Sequence, residues 1–391
     1  MIIIAYRKAI ELLETVSTNQ GFLASATHET NYKRIWARDG IICGLAALAS
    51  GNVNLIKTFE NTLLTLEKHQ HPSGTIPSNV YFFEDKTEVS YGGLAGRVDA
   101  QTWYVIGCCQ YAFYTDDSNW LKNRMASIER VLQLLEAWEF NNNQLVYTPL
   151  SGNWADEYVL EGYVLYDQVL RLWALKSYQY FKNDALLALK IKQVEQQISS
   201  NFFPEATQNI VHPKAYSKVD FSAYLPCSFS PSGYKKYFDA LAHSLLCLID
   251  LGDEKVYKNA LVFGQNLAKN LPLQLVPAFA PTIFETDTDW HLLKDNCKYD
   301  FRNYPNEFHN GGSWQMVNGF WGLALLNKGF TTEANKLLEA LAQANAYENY
   351  GFYENFNSQT AQPNGVKYCS WSAAAQVLVH QQIHQPFKFL V

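Results

Sequence analysis

Eight acidic side chains, Asp39, Asp99, Asp156, Glu157, Glu161, Asp239, Glu307 and Glu354, fall in connecting segments crowded with Trp, Tyr, Asn and Arg. Carboxylates and guanidinium groups in such company grip vicinal sugar hydroxyls, while aromatic faces cover the ring. The chemistry open to this set is glycoside hydrolysis. It needs two carboxyl groups, one protonated to donate to the leaving oxygen and one ionised. Composition does not choose the pair, because Asp39, Asp99 and Asp239 also stand where an N-cap or first-turn acid is expected.

The neighbouring residues supply candidate sugar contacts: Trp36, Arg38, Arg97, Gln101, Trp154, His309, Asn310, Trp314, Lys367 and Tyr368. Trp36, Trp154 and Trp314 suit stacking on a sugar and equally suit the core. Other chemistries lack their motifs. No C-x-x-C or H-E-x-x-H occurs, so no metal is expected, and no glycine-rich phosphate loop or Ser-His-Asp pattern points to a cofactor or a serine nucleophile. The seven cysteines stand mostly in apolar stretches and read as reduced core thiols. A net charge of -6 without any basic block excludes nucleic acid and anionic membranes as expected partners, leaving a small carbohydrate. The opening "MIIIAYRKAIELLETV" breaks its apolar run at Arg7 and Lys8, too early for a secretory leader, and no stretch reaches membrane-spanning length. The expected location is the cytoplasm.

The elements that must position these residues are helices. Apolar periodicity predicts twelve, near 3–18, 39–50, 53–70, 100–115, 118–139, 163–182, 184–200, 237–251, 253–270, 313–328, 331–346 and 370–384, with little strand-like alternation. Their links alternate. After 39–50 comes "GN" and after 100–115 "DD", whereas other links run far beyond the usual ~4–6 residues. Alternating short and long links predict an all-α fold, an (α/α)6 toroid of six hairpins over residues 1–391 as one domain. The long loops, from "NYKRIWARDG" to "KYCSW", lead into the inner helices and line one mouth.

Several segments carry a family resemblance. "GRVDAQTWY" resembles the Gly-Arg-Val...Val-Asp-Ser-Gly-Leu-Trp-Trp segment of neutral/alkaline invertases, "FHNGGSW" their Tyr-His-Asn-Gly-Gly-Ser-Trp, and "KYCSWSAAAQVLV" their Lys-Tyr-Gln-Thr-Trp-Ser-Ile-Ala-Gly. "WARDG" resembles their Val-Arg-Asp-Phe and the Trp-x-Arg-Asp of glucoamylases. The resemblance implies an inverting hydrolase of an α-glucosidic bond, with the general acid at Asp99, the general base at Glu354 of "GFYENFN", and Arg38 with Asp39 holding glucose hydroxyls. An inverting pair stands roughly 6.5–9.5 Å apart to admit a water. The chain departs from the family where Ala100-Gln101-Thr102 replace Ser-Gly-Leu, and where "NWADEYVLEGY" replaces Met-Ile-Asp-Arg-Arg-Met-Gly. That loop offers Asp156 or Glu157 as a rival proton donor. It also leaves open sucrose, a malto-oligosaccharide or glycogen-derived chain, or a toroid that only binds glycans.

Overall fold

The computed structural model describes residues 1–29 and 31–391. Twelve helices carry the architecture: α1 (Ile2–Thr15), α2 (Ala37–Ser50), α3 (Val53–Lys68), α4 (Val98–Thr115), α5 (Met125–Ala137), α6 (Leu165–Lys182), α7 (Ala185–Phe202), α8 (Ala240–Leu248), α9 (Glu254–Lys269), α10 (Gln315–Asn327), α11 (Thr331–Asn345) and α12 (Ser370–His384). The even-numbered helices touch in succession and close back on α2 as an inner ring. Each odd-numbered helix from α3 to α11 packs behind the inner helix it follows, and α1 packs behind α12. The (α/α)6 toroid predicted from alternating links is the observed fold.

Residue pattern explains which helices lie inside. Helix α4 is buried without interruption from Val98 to Ala112, and α10 from Gln315 to Leu325, so both need protein on every side. Helix α9 buries only Tyr257, Ala260, Leu261, Gly264 and Ala268, a single stripe at helical spacing that suits an outer position. Inner neighbours approach closely: a Cβ added at Gly319 of α10 would stand 2.6 Å from the Cβ of Ala375 in α12. The tight links are set by capping. Gly51 turns the chain at φ 66°, and the Asn52 side chain then accepts from the N–H groups of Asn54 and Leu55 to start α3. Asp184 and Asp253 cap α7 and α9 in the same way.

Two expectations are corrected. The helix predicted over 118–139 divides into Ser118–Lys122 and α5, because Arg124 sits 3.7 Å over the Trp120 ring and donates to the Trp120 carbonyl at 2.7 Å. The predicted helices over 163–182, 237–251 and 313–328 start late, because two residues before each inner helix are strands. Ile35–Trp36 pairs with Asn79–Phe83, Tyr163–Val164 with Ser228–Ser230, Phe238–Asp239 with Phe279–Ala280, and Ser313–Trp314 with Asn355–Phe356. Each partner strand belongs to the long loop leading to the next inner helix, so the loops are stitched to one another around the mouth.

Side chains in the first turns of inner helices reinforce this stitching. Gln101 accepts from the Ile76 N–H at 2.7 Å and donates back to the Ile76 carbonyl at 3.2 Å. Gln168 does the same with Val146, and Asn318 with Val276. On α8, His243 takes the Leu225 N–H at 3.0 Å. Gln101, a candidate sugar contact, is therefore a loop staple, fully buried with both amide atoms engaged by backbone.

The rear of the ring is closed by the segment after α12. The Leu390 carbonyl accepts from Gln110 Nε2 (2.7 Å), Trp173 Nε1 (2.8 Å) and Ser177 Oγ (2.9 Å), and Gln110 Oε1 accepts the Leu390 N–H. Among the described residues, no helix is long and apolar enough to cross a membrane.

Candidate active site

Helix α2 opens the site. Its first turn carries Arg38 and Asp39 beside the start of the neighbouring inner helix α4, where Arg38 Nη1 donates to Asp99 Oδ2 at 2.9 Å. Asp99 is 1% exposed and accepts a second bond from Tyr166 Oη at 3.3 Å, while Trp103 Nε1 donates to that hydroxyl at 2.9 Å. Arg38 also lies 5.3 Å over the Trp371 ring and 3.9 Å from Asp39 Oδ2. A buried guanidinium held on two sides presents its remaining edge in one orientation. Burial pushes the Asp39 carboxyl up to about 6, against the opposing charge of Arg38.

Asp99 stands in this geometry as the counter-ion of Arg38, which departs from the proton-donor role the resemblance implies. A donor needs access to the leaving oxygen. Asp99 is 1% exposed, with Oδ2 held by Arg38 and Tyr166. Arg97, its near neighbour in sequence, points instead to Asp156 Oδ2 at 2.6 Å and to the Ser151 carbonyl.

The loop from Pro149 to Glu161 supplies the acids that do face the mouth. It is pinched at its base, where Thr148 and Gly162 exchange backbone hydrogen bonds of 2.7 and 2.9 Å. Inside the loop, Asn153 binds the Ala155 N–H and Asp167 Oδ2, and Asn296 and Asn303 donate to the carbonyls of Tyr158 and Glu157. Asp156 and Glu157 are thereby held on the wall of a cavity of about 270 Å3, with Trp36, Arg97, Lys298 and Arg302 around them. Glu157 gives both oxygens to Arg302, at 2.9 and 3.3 Å, and burial raises its carboxyl above the usual range against the pull of Arg302. Asp156 is bound through Oδ2 and its side chain is 34% exposed. A larger hollow of about 480 Å3, between Phe203 and Asn259, lies among the outer helices away from these acids.

Glu354 approaches from the loop before α12. Its Oε1 accepts from Tyr32 Oη at 2.9 Å, and its Oε2 is buried without a protein partner. The backbone of Gly365 (φ 73°) lies so close that an added Cβ would stand 2.2 Å from Oε2. Burial pushes the Glu354 carboxyl up to about 7, and the Asp39 charge adds to the rise, while the Tyr32 bond and the Arg302 charge oppose it.

Other candidates divide between site and scaffold. His309 stacks on Trp314 at 5.1 Å with Nδ1 unpartnered, and burial together with the charges of Arg302, Arg38 and Arg97 lowers its pKa, keeping the ring neutral. Trp154 meets Phe279, His309 and Trp314 at 5.3–5.7 Å and leaves Nε1 unpartnered. Trp36 lines the cavity and donates to the Asn31 carbonyl at 3.0 Å. Trp314 donates to the Phe308 carbonyl, and Asn310 binds the backbone of Ile283 and Asn303; both serve the scaffold. Lys367 pairs with Glu348 at the surface and Tyr368 is 42% exposed. Among the described residues, no group of three or more His, Cys, Asp or Glu side chains is arranged to hold a metal.

Sequence reasoning passed over Tyr32, Tyr166, Asp167, Lys298, Arg302 and Gln315. Asp167 had a signal, an acid interrupting the apolar run "YVLYDQVLRLWAL". It is fully buried, accepts from Thr148 Oγ1 and Asn153 Nδ2, and leaves Oδ1 unpartnered. Several unpartnered buried atoms lie at the starts of the inner helices: Arg38 Nε, Asp99 Oδ1, Asp167 Oδ1, Asp239 Oδ2, both amide atoms of Gln315, and Trp371 Nε1. Buried polar atoms are nearly always paired, so these atoms make the mouth the place to look for a polar ligand.

Comparisons with known proteins bear on the family and the fold. A family model described as alkaline and neutral invertase matches residues 3–216. The Arabidopsis thaliana protein described as alkaline/neutral invertase C, mitochondrial, is 22% identical, over 93% of this chain and 63% of its own length, so the chain spans less than two thirds of that relative. The GH63 mannosylglycerate hydrolase of Thermus thermophilus, in complex with glucose, superposes with a TM-score of 0.70 at 14% identity, over 96% of this chain and 99% of that one. A structure described as a wild-type glycosidase gives 0.65 at 13% identity, over 98% of each chain. At such identities the two structures speak for the fold, while the family model spans more than half of the sequence: this chain belongs to the alkaline and neutral invertase family.

Proposed function

We propose that the protein is an inverting glycoside hydrolase of an α-glucosidic bond, with Glu354 as general base and Asp156 as proton donor. Asp156 passes its proton to the glycosidic oxygen, Glu354 removes a proton from the attacking water, and the water oxygen becomes the β-anomeric hydroxyl of the released sugar. Arg38 and Asp39 hold hydroxyls of the sugar, and Asp99 fixes Arg38. The observation that carries the donor assignment is access. Asp156 faces the mouth cavity with one oxygen outside its ion pair, whereas both oxygens of Glu157 are held by Arg302 and Asp99 is enclosed.

Sucrose is the first substrate to test, following the family. A second reading takes a small anionic aglycone, as in the mannosylglycerate hydrolase neighbour, because Arg97, Lys298 and Arg302 line the same cavity. The test is a panel of sucrose, maltose, isomaltose, trehalose, glucosylglycerate and mannosylglycerate, with the first-formed anomer followed by proton NMR. Inversion with Asp156→Asn inactive and Asp99→Asn retaining chemistry at raised KM supports the assignment. Net retention, or full activity in Asp156→Asn, overturns it.

A further inference from the structure

Gln315 is the first residue of α10 and is fully buried, yet neither its amide nitrogen nor its amide oxygen has a protein partner. Leaving both groups unmade carries the full desolvation penalty of each. The comparable amides Gln101, Gln168 and Asn318, also near the starts of inner helices, are all engaged with backbone. Gln315 differs in having no loop to staple.

Its place is fixed by a strand pair. Ser313 faces Phe356 and Trp314 faces Asn355; Gln315 follows Trp314 directly and Glu354 precedes Asn355 directly, so both residues leave the same end of this strand pair. Behind it, Trp314 anchors to the Phe308 carbonyl and stacks on His309. A buried donor and acceptor side by side on one planar group match a partner that offers an acceptor and a donor at the same spacing. Two adjacent hydroxyls of a pyranose do so.

We propose that Gln315 reads two adjacent hydroxyls of the sugar whose anomeric carbon is served by Glu354, and so determines which hexose the site accepts. The inference rests on the assignment of Glu354 as the base. An aglycone reader would face the cavity wall of Asp156 and Arg302; Gln315 instead stands at the end of the strand pair from which Glu354 also departs. A neutral amide also tolerates a polar ligand without the desolvation of another charge.

The test uses α-D-glucosyl fluoride and α-D-mannosyl fluoride, which need no proton on the leaving group, together with the 3-deoxy, 4-deoxy and 6-deoxy forms of the better substrate. In the native protein each hydroxyl read by Gln315 is worth about tenfold in kcat/KM. In Gln315→Met, close in volume, the parent fluoride loses that activity and the penalties at two adjacent positions vanish, while the third persists. Gln315→Glu keeps an acceptor and so retains one of the two penalties. The melting temperature of Gln315→Met is expected at or above that of the native protein, since two unpaired buried polar groups are gone. Gln315→Leu provides the same reading if the methionine variant folds poorly. Deoxy penalties unchanged in both apolar variants overturn the inference while leaving the base assignment intact. Turnover of the fluoride undiminished in Glu354→Gln overturns the base assignment instead, and the inference with it.

Discussion

The two ends of the ring bury polar groups in opposite ways. At the rear, Gln110, Trp173 and Ser177 converge on the Leu390 carbonyl, and Tyr114 donates to the Lys388 carbonyl, so polar atoms are matched within the protein. At the mouth, Asp99, Asp167, Asp239, Gln315 and Glu354 are equally enclosed, but each keeps at least one atom without a protein partner. Satisfied polar burial specifies and stabilises a fold, whereas unsatisfied polar burial lowers stability. The rear ties the ring with paired polar atoms, and the mouth keeps unpaired polar atoms that the proposed function assigns to a ligand.

This contrast predicts a double dissociation, and the largest effects belong to the mouth. Glu354→Gln is expected to lower kcat roughly 10²–10⁴-fold, the range for a general base. The same variant should be more stable than the native protein at pH 8. The folded-state value of about 7 lies above the ordinary 4.5, so the stability associated with the protonated carboxyl is present below 4.5 and lost as pH rises toward 7. The gain at pH 8 is up to roughly 3 kcal/mol and fades below pH 4.5, as chemical denaturation at the two pH values would read. A variant equally destabilised at both would break the contrast.

Asp99→Ala should destabilise by about 3–5 kcal/mol, because it leaves Arg38 charged and buried without its partner. KM should rise with it as Arg38 loses its orientation. Native-like stability and KM would remove Asp99 from the clamp.

The pH profile of kcat/KM gives a signed test of the same carboxyl. A base must be ionised, so the acidic limb of the profile should climb tenfold per pH unit below about 7, while the alkaline limb belongs to the proton donor. An acidic limb that persists unchanged in the residual activity of Glu354→Gln would remove Glu354 as the base.

Smallest is the rear. Trp173→Phe removes one hydrogen bond to Leu390 and should cost about 1 kcal/mol, read as a lower melting temperature with kcat and KM unchanged. A drop in kcat without a drop in stability would dissolve the distinction between the two ends.

The ring was legible in the sequence because its signals are local. The stripe from Tyr257 to Ala268 and the unbroken burial pattern of α4 follow from residue spacing, and Asn52, Asp184 and Asp253 announce the tight links. The strands of the mouth were not legible. Ile35–Trp36 and Ser313–Trp314 are two residues long, too short for an alternation to register. The roles of Gln101 and Asn310 were hidden for a related reason, since a side-chain amide suits a sugar hydroxyl and a backbone peptide group equally well.

By itself the sequence determined the helical hairpins, their order and the loops that gather at one face, because periodicity and capping act within a few residues. It also narrowed the acids to a short set that includes Asp99, Asp156, Glu157 and Glu354. Only the tertiary structure decided which of them share a cavity. The phase of α4 turns Asp99 toward Arg38, the pinch between Thr148 and Gly162 turns Asp156 and Glu157 outward, and the Gly365 backbone presses Glu354 into a buried slot. Those orientations depend on contacts between residues tens to hundreds of positions apart, and the availability of a carboxyl oxygen depends on what the fold brings beside it.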